Sequence, residues 1–227
     1  PDVVITGGKP LDAMLRMDLA RLVEANGFSR LTWGDETVAL RDRPALTVGR
    51  ATVVPPAGTF LQATTEGEAA LLAAVKAALG PQKRVADLFS GIGTFALPLA
   101  ETMEVHAVEG DSTMIAALEQ GVRHVQGLHR LTAEARDLFR RPLEPDELNT
   151  FTGVVIDPPR AGAEAQTERL ARSTVAVVAA VSCNPVTFAR DAKLLVDAGF
   201  HLDWVQVVDQ FRWSTHVELV ARFSRPR

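Results

Sequence analysis

The lone cysteine, Cys183, follows an apolar run at 175–181. A thiolate at the carboxyl end of such a strand is a strong nucleophile placed where ligand crevices form. A buried, inert thiol is the competing reading of that residue taken alone. Glu218, in the last β-like run, is a carboxylate able to accept a proton during catalysis, or else a plain surface residue of a strand. Asp87-Leu88-Phe89-Ser90-Gly91-Ile92-Gly93-Thr94-Phe95-Ala96 carries the spacing G-x-G-x-x-A. Glycines there let a backbone turn tightly and approach a ligand beside the positive end of a helix. Glu109 stands 16 residues after Gly93, where an acid can accept hydrogen bonds from both hydroxyls of a ribose. Together these features indicate a nucleoside cofactor, against an ordinary tight turn followed by a surface acid. They do not by themselves separate a nicotinamide dinucleotide from S-adenosylmethionine. Asp157-Pro158-Pro159-Arg160 follows the apolar Val154-Val155-Ile156, and its prolines stiffen a loop that must keep its shape.

These groups need a sheet to hold them. From residue 66 an Ala- and Leu-rich helix runs to Leu79 and stops at Gly80-Pro81, after which β-like runs at 84–89, 104–109, 153–157, 175–182 and 202–208 are mostly separated by helical patterns. Such alternation predicts an α/β fold with a mainly parallel sheet and ligands at the strands' carboxyl ends. The final run at 216–223 follows Val208 too closely for a helical crossover, so it should pair antiparallel with its predecessor. Residues 1–65 read as a small α+β accessory region: β-like runs at 2–6, 31–33, 37–40 and 47–54, a helix at 11–25 stopped by Asn26-Gly27, and a hairpin turn at Gly34-Asp35. Residues 66–227 then form the catalytic domain.

Phe60-Leu61-Gln62, Asp157-Pro158-Pro159-Arg160-Ala161-Gly162, Ser182-Cys183-Asn184-Pro185 and His216-Val217-Glu218, in this order and spacing, resemble the RNA 5-methyluridine (uracil-C5) methyltransferase family. The likeness runs from about residue 59 to 225 and implies a Rossmann-like class I methyltransferase domain that uses S-adenosylmethionine. It implies further that Gln62, Phe89, Gly91, Gly93, Thr94, Glu109 and Asp157 hold that cofactor, with Asp137 beside its adenine. Cys183 corresponds to the family's nucleophile and Glu218 to its base; Asp157 would serve both cofactor and target uracil. His216 reads as structural, holding the strand or contacting RNA, and Arg160 as a partner of an RNA phosphate or of charge developing on the base. Thr94 stands where many members carry Asn, and Arg212 where a Pro is common. The RNA-binding barrel and iron–sulfur cysteines of some members are not seen in this sequence, which leaves target choice open.

Composition is consistent with this and narrows it. The 227 residues, 47% apolar, suffice for one full α/β core plus an appendage. One cysteine forms no intramolecular disulfide, and neither structural zinc nor an iron–sulfur cluster is expected. A reducing, cytoplasmic setting fits, and no run of residues suggests a membrane span or a secretion signal. A net charge of −4 argues against affinity won by blanketing phosphates, yet leaves an RNA substrate open through local pieces such as Lys83-Arg84, Arg41/Arg43 and Arg140-Arg141. Competing readings are an adenine- or guanine-amino methyltransferase, a catalytically silent RNA-binding module, and a nicotinamide dehydrogenase. The first needs no cysteine and the last leaves the motifs around Cys183 and Glu218 unexplained. Whether the RNA is ribosomal or transfer is not written in these residues.

Overall fold

The computed structural model describes residues 1–226. Strand β1 (Asp2–Ile5), helix α1 (Ala13–Asn26), and strands β2 (Arg30–Trp33) and β3 (Glu36–Leu40) come first. Asp12 starts α1 by accepting the Leu15 N–H at 2.7 Å, and Gly27 ends it in the left-handed region at φ 65°. β1 lies parallel to β2, and β2 turns into antiparallel β3 through Gly34-Asp35, with Trp33 opposite Glu36. Leu19 and Val23 of α1 cover this small sheet at Leu31.

The single β-like run expected at 47–54 is instead a hairpin of β4 (Leu46–Val48) and β5 (Ala51–Val53). Gly49, at φ 57°, permits the reversal between them, a conformation costly for residues bearing a Cβ. Val48, Ala51 and Val53 pack on Ile92 and Leu97, so the hairpin shares a core with the motif that follows β6.

Helix α2 (Thr65–Leu79) is capped by the Thr64 hydroxyl, which accepts the Gly67 N–H at 2.9 Å. Then follow β6 (Arg84–Leu88), α3 (Ala96–Leu99), β7 (Glu104–Glu109), α4 (Ser112–Val122), β8 (Leu131–Ala135), α5 (Pro145–Leu148) and β9 (Gly153–Ile156). Helix α6 (Glu164–Arg172), β10 (Val177–Ser182), α7 (Pro185–Asp197), β11 (His201–Val208) and β12 (Glu218–Ser224) complete the chain. Seven of these strands form one sheet in the order β11-β12-β10-β9-β6-β7-β8, parallel except for β12. This is the Rossmann-like α/β sheet expected from the sequence. Two features go beyond that expectation. β8 was not foreseen, because it is a half-exposed edge strand, Leu-Thr-Ala-Glu-Ala, without an apolar run. β12 pairs with β11 as expected but also with β10, lying between them.

Alternate residues of the inner strands feed two cores. Val85, Val155, Val181 and Val220 meet Leu71, Val75 and Leu79 of α2, together with Leu118 of α4. Ala86, Val154, Val178 and Ala221 meet Leu148, Leu170 and Leu195 of α5, α6 and α7. Chain direction across the sheet reverses at β6, which leads outward to β7 and β8 on one side while β9 and β10 lie on the other. The crevice outside the carboxyl ends of β6 and β9 is therefore the topological place for a ligand.

Candidate active site

A cleft of about 520 Å³ opens at that reversal. Phe89, Gly91 and Thr94 border it from the turn after β6, Glu109 from the end of β7, Asp137 from the loop after β8, and Asp157 from the end of β9. Cys183 enters from the end of β10, Glu218 from the start of β12 and Gln62 from the segment before α2. Gly93 is not among the lining residues. A Cβ there would come within 2.8 Å of a Leu118 methyl and 3.0 Å of Leu97 Cγ, so this glycine lets the turn and its helix pack.

The turn is strained where it meets the cleft. Phe89 adopts φ 62°, unusual for a residue with a side chain, and its ring tilts against Phe139 at a centroid distance of 5.4 Å. Gly91, at φ 56°, donates its N–H to Glu109 Oε2 at 3.0 Å while Asp111 N–H reaches Oε1 at 2.9 Å. Each oxygen of Glu109 is thereby fixed by one backbone donor and keeps a second lone pair for a ligand hydroxyl. Asp137 Oδ1 caps its own loop, accepting from Phe139 N at 2.9 Å and Arg140 N at 3.3 Å. Phe139 and Met114 add apolar surface that no motif announced; only the spacing of Phe139 two residues after Asp137 offered a hint.

Across the cleft from Glu109 and Asp137, the turn that carries Cys183 is shaped by the start of α7. Asn184 is the N-cap, its Oδ1 accepting Val186 N–H at 3.0 Å, and Pro185 fills the first helical position. Ser182 Oγ accepts from Asn184 N–H at 3.1 Å, which folds Cys183 into the cleft mouth. Asn184 Nδ2 also donates to Arg160 O at 2.9 Å, and Thr187 Oγ1 to the same oxygen at 3.2 Å. The Asp-Pro-Pro-Arg loop and the Ser-Cys-Asn-Pro turn are thus bolted together. Arg160 Nη2 lies 3.3 Å from His216 Nδ1, tying the loop before β12 to the same rim.

Carboxyl groups cluster in and beneath the cleft, and burial favours their protonated forms. Asp87 is fully buried on β6, its carboxylate facing the Ala96 N–H and meeting no other hydrogen-bond donor among the described residues. Burial first, then the nearby charge of Asp157, holds its carboxyl well above the usual range. Asp157 is pushed up to about 7, chiefly by desolvation and secondly by Glu218. Glu218, 3% exposed, is raised by burial. The Cys183 thiol is raised by burial and by Glu218 and Asp157, against a smaller opposing pull from Arg160. A positive charge placed in the cleft would favour ionisation of several of these carboxyls at once. Among the described residues no group of three or more His, Cys, Asp or Glu is arranged to hold a metal ion.

Comparison with known proteins agrees with this layout. The family model described as tRNA (Uracil-5-)-methyltransferase matches residues 54–225. An RNA methyltransferase of Mesorhizobium japonicum, itself called uncharacterized, is 50% identical over 226 residues, covering 100% of this chain and 55% of its own length. The 23S rRNA (uracil(1939)-C(5))-methyltransferase RlmD of Alteromonas naphthalenivorans is 35% identical over 179 residues, 75% of this chain and 37% of that protein. The chain spans about half the length of the curated relatives it matches. Among solved structures, the Pyrococcus abyssi tRNA (uracil-54, C5)-methyltransferase, in complex with S-adenosyl-L-homocysteine, superposes with TM-score 0.71 at 25% identity, over 86% of this chain and 50% of that one. Methanocaldococcus jannaschii Trm5 shares the fold, with TM-score 0.64 at 12% identity, over 100% of this chain and 70% of that one.

Proposed function

Because the chain belongs to the tRNA (uracil-5-)-methyltransferase family, we propose that it methylates carbon 5 of a uridine in RNA, with Cys183 as nucleophile and Glu218 as base. The observation that carries this reading is the convergence of Cys183, Glu218 and Asp157 in one cleft with the Glu109 and Gly91 cradle. S-adenosylmethionine would supply a methyl group on a sulfonium centre. Gln62, Phe89, Gly91, Thr94, Glu109, Asp137 and Asp157 are the residues to hold it, and Gly93 supports the turn from behind. The raised Asp157, which lines the cleft beside Glu218, fits a ligand bearing positive charge.

Carbon 5 of uracil is a weak nucleophile. Cys183 Sγ, as thiolate, bonds to carbon 6 and sends the electron pair toward carbon 5, which takes the methyl group. Glu218 then removes the remaining proton from carbon 5, the carbon 6–sulfur bond breaks, and the thiolate returns. Arg160 and the rigid prolines hold the rim against which the flipped or single-stranded base would rest. The relatives with named substrates act on 23S rRNA and on tRNA respectively, and uracil carbon 5 is what those names share. Residues 1–65 serve as an accessory region to the methyltransferase domain at 66–227, and a reducing cytoplasm suits the thiolate.

Incubation with labelled S-adenosylmethionine and unmodified total RNA, followed by digestion to nucleosides, tests the reading. Wild type should yield labelled 5-methyluridine; Cys183→Ala should yield none; Glu218→Gln should slow turnover by about 10²- to 10⁴-fold and accumulate a covalent protein–RNA adduct. Label on an amino group of adenine or guanine, undiminished in Cys183→Ala, would overturn it.

A further inference from the structure

The loop joining β11 to β12 carries a feature that neither folding nor the methyl-transfer chemistry uses. Trp213 is fully exposed, at 103% of its reference surface, and its backbone sits at φ 65°. Solvent is a poor place for an indole, and the left-handed region is a poor place for any residue with a Cβ. A glycine would be easier at this position on both counts.

The loop around it is nonetheless ordered by its own bonds. Phe211 N–H donates to Asp209 Oδ1 at 3.2 Å, Ser214 N–H to Phe211 O at 3.1 Å, and His216 N–H to Ser214 Oγ at 3.1 Å. The Phe211 and His216 rings meet edge to face at 6.4 Å. Its two ends are tied to opposite sides of the cleft, through Gln210 Nε2 to Gln62 Oε1 at 2.8 Å and through His216 to Arg160. Glu218 follows directly on β12. Trp213 therefore stands in a loop whose two ends are both tied to residues that line the cleft. Arg212 directly precedes it in the chain and Arg160 lines the cleft at the His216 end of the loop, and none of the ion pairs found among the described residues engages either one.

We propose that Trp213 is a stacking platform for an unpaired RNA base next to the target uridine, with Arg160 and Arg212 facing the adjoining phosphates. This rests on the RNA-methyltransferase reading and names how the substrate is held. An exposed indole offers a π-face to any base, and neighbouring guanidinium groups attract the backbone. The bonds of the loop fix the backbone that carries the ring, so less main-chain freedom is lost on binding.

The test uses dodecauridylate as probe. It should quench the tryptophan emission of the wild-type protein and leave that of Trp213→Phe unquenched, since Trp33 stands on β2 and Trp204 on β11, outside the loop. Trp213→Ala should bind the probe about tenfold more weakly, while Trp213→Phe recovers most of the affinity. In turnover, Trp213→Ala should raise KM for RNA and leave the affinity for S-adenosylmethionine unchanged. Trp213→Gly should lose RNA affinity with no fall in Tm, which separates contact from a structural role. Quenching that persists in Trp213→Phe, equal quenching by inorganic polyphosphate, unchanged binding by Trp213→Ala, or a lowered Tm in Trp213→Gly would overturn the proposal. A blue shift on anionic vesicles without response to the oligonucleotide would do so as well. If wild type transfers no methyl group to RNA, the function itself falls; if it does and Trp213→Ala behaves as wild type, only this proposal does.

Discussion

Cys183 faces two opposed demands. The proposed chemistry needs its thiolate, yet burial and the charges of Glu218 and Asp157 favour the thiol. Arg160 pulls the other way, and a sulfonium bound beside the acids would add to that pull. The ligand-free protein thus favours the thiol form of Cys183. Because the sequence contains one cysteine, alkylation by iodoacetamide reports this residue alone. Its rate in the ligand-free protein should titrate with a midpoint above that of an ordinary thiol. In Glu218→Gln the repelling charge is gone, so the midpoint should fall and alkylation at pH 8 should quicken. An unchanged midpoint would mean that Glu218 does not reach the thiol electrostatically.

Helix α7 and the turn after β6 are the elements on which the geometry depends. Asn184 caps α7 and, through Nδ2, holds the Arg160 carbonyl, so one side chain aligns the turn at Cys183 with the proline loop. Asn184→Ala should cost about 1 kcal/mol of stability from the lost cap. Asn184→Asp keeps the capping oxygen but cannot donate to Arg160, so denaturant unfolding should show stability close to wild type while kcat falls. Retained kcat would show that the link to Arg160 is dispensable. At Gly93 an added methyl meets Leu118 and Leu97 and must also adopt φ 94°. Gly93→Ala should lose about 2–4 kcal/mol, combining overpacking with left-handed strain, and should weaken cofactor binding through displacement of the turn. Equal midpoints in urea for the variant and wild type would refute that account.

Across the whole molecule, the acids under the cleft make stability depend on pH in an unusual sense. A carboxyl that titrates higher when folded keeps its proton in the native state after the unfolded chain has released it. Stability is then full below the unfolded value, about 3.9 for Asp, and declines as pH rises. For Asp157 the decline runs up to about 7, and buried Asp87 extends it in the same direction. Tm of the ligand-free protein should therefore drop between pH 5 and pH 8, and Asp87→Asn should flatten that slope. S-adenosylmethionine, a cation, should stabilise the protein more at pH 8 than at pH 5.5. A ligand-induced shift in Tm that is independent of pH would argue against the cation-completed site.

Local chemistry was legible in the linear order of residues, because short motifs and strand periodicity are local properties. The glycine turn, Glu109 after the next strand, the stop of α1 at Gly27, and the Cys183 and Glu218 motifs required no knowledge of distant neighbours. The alternation of β and α likewise foretold the parallel sheet. Lateral placement was decided only in three dimensions. Edge strand β8 is too polar to announce itself, Gly49 splits one apparent strand in two, and β12 slots between β10 and β11 because burial of Val220 and Ala221 on opposite faces rewards a central position. The same holds for electrostatics. Asp87 is an ordinary acid in the sequence and becomes a buried one that holds its proton because the folded sheet excludes water from all sides and brings Asp157 and Glu109 toward it. Residue types and spacing determine which chemistry is available; packing determines which charges must share a site and which strands must lie together, since desolvation and side-by-side pairing depend on residues far apart in the chain.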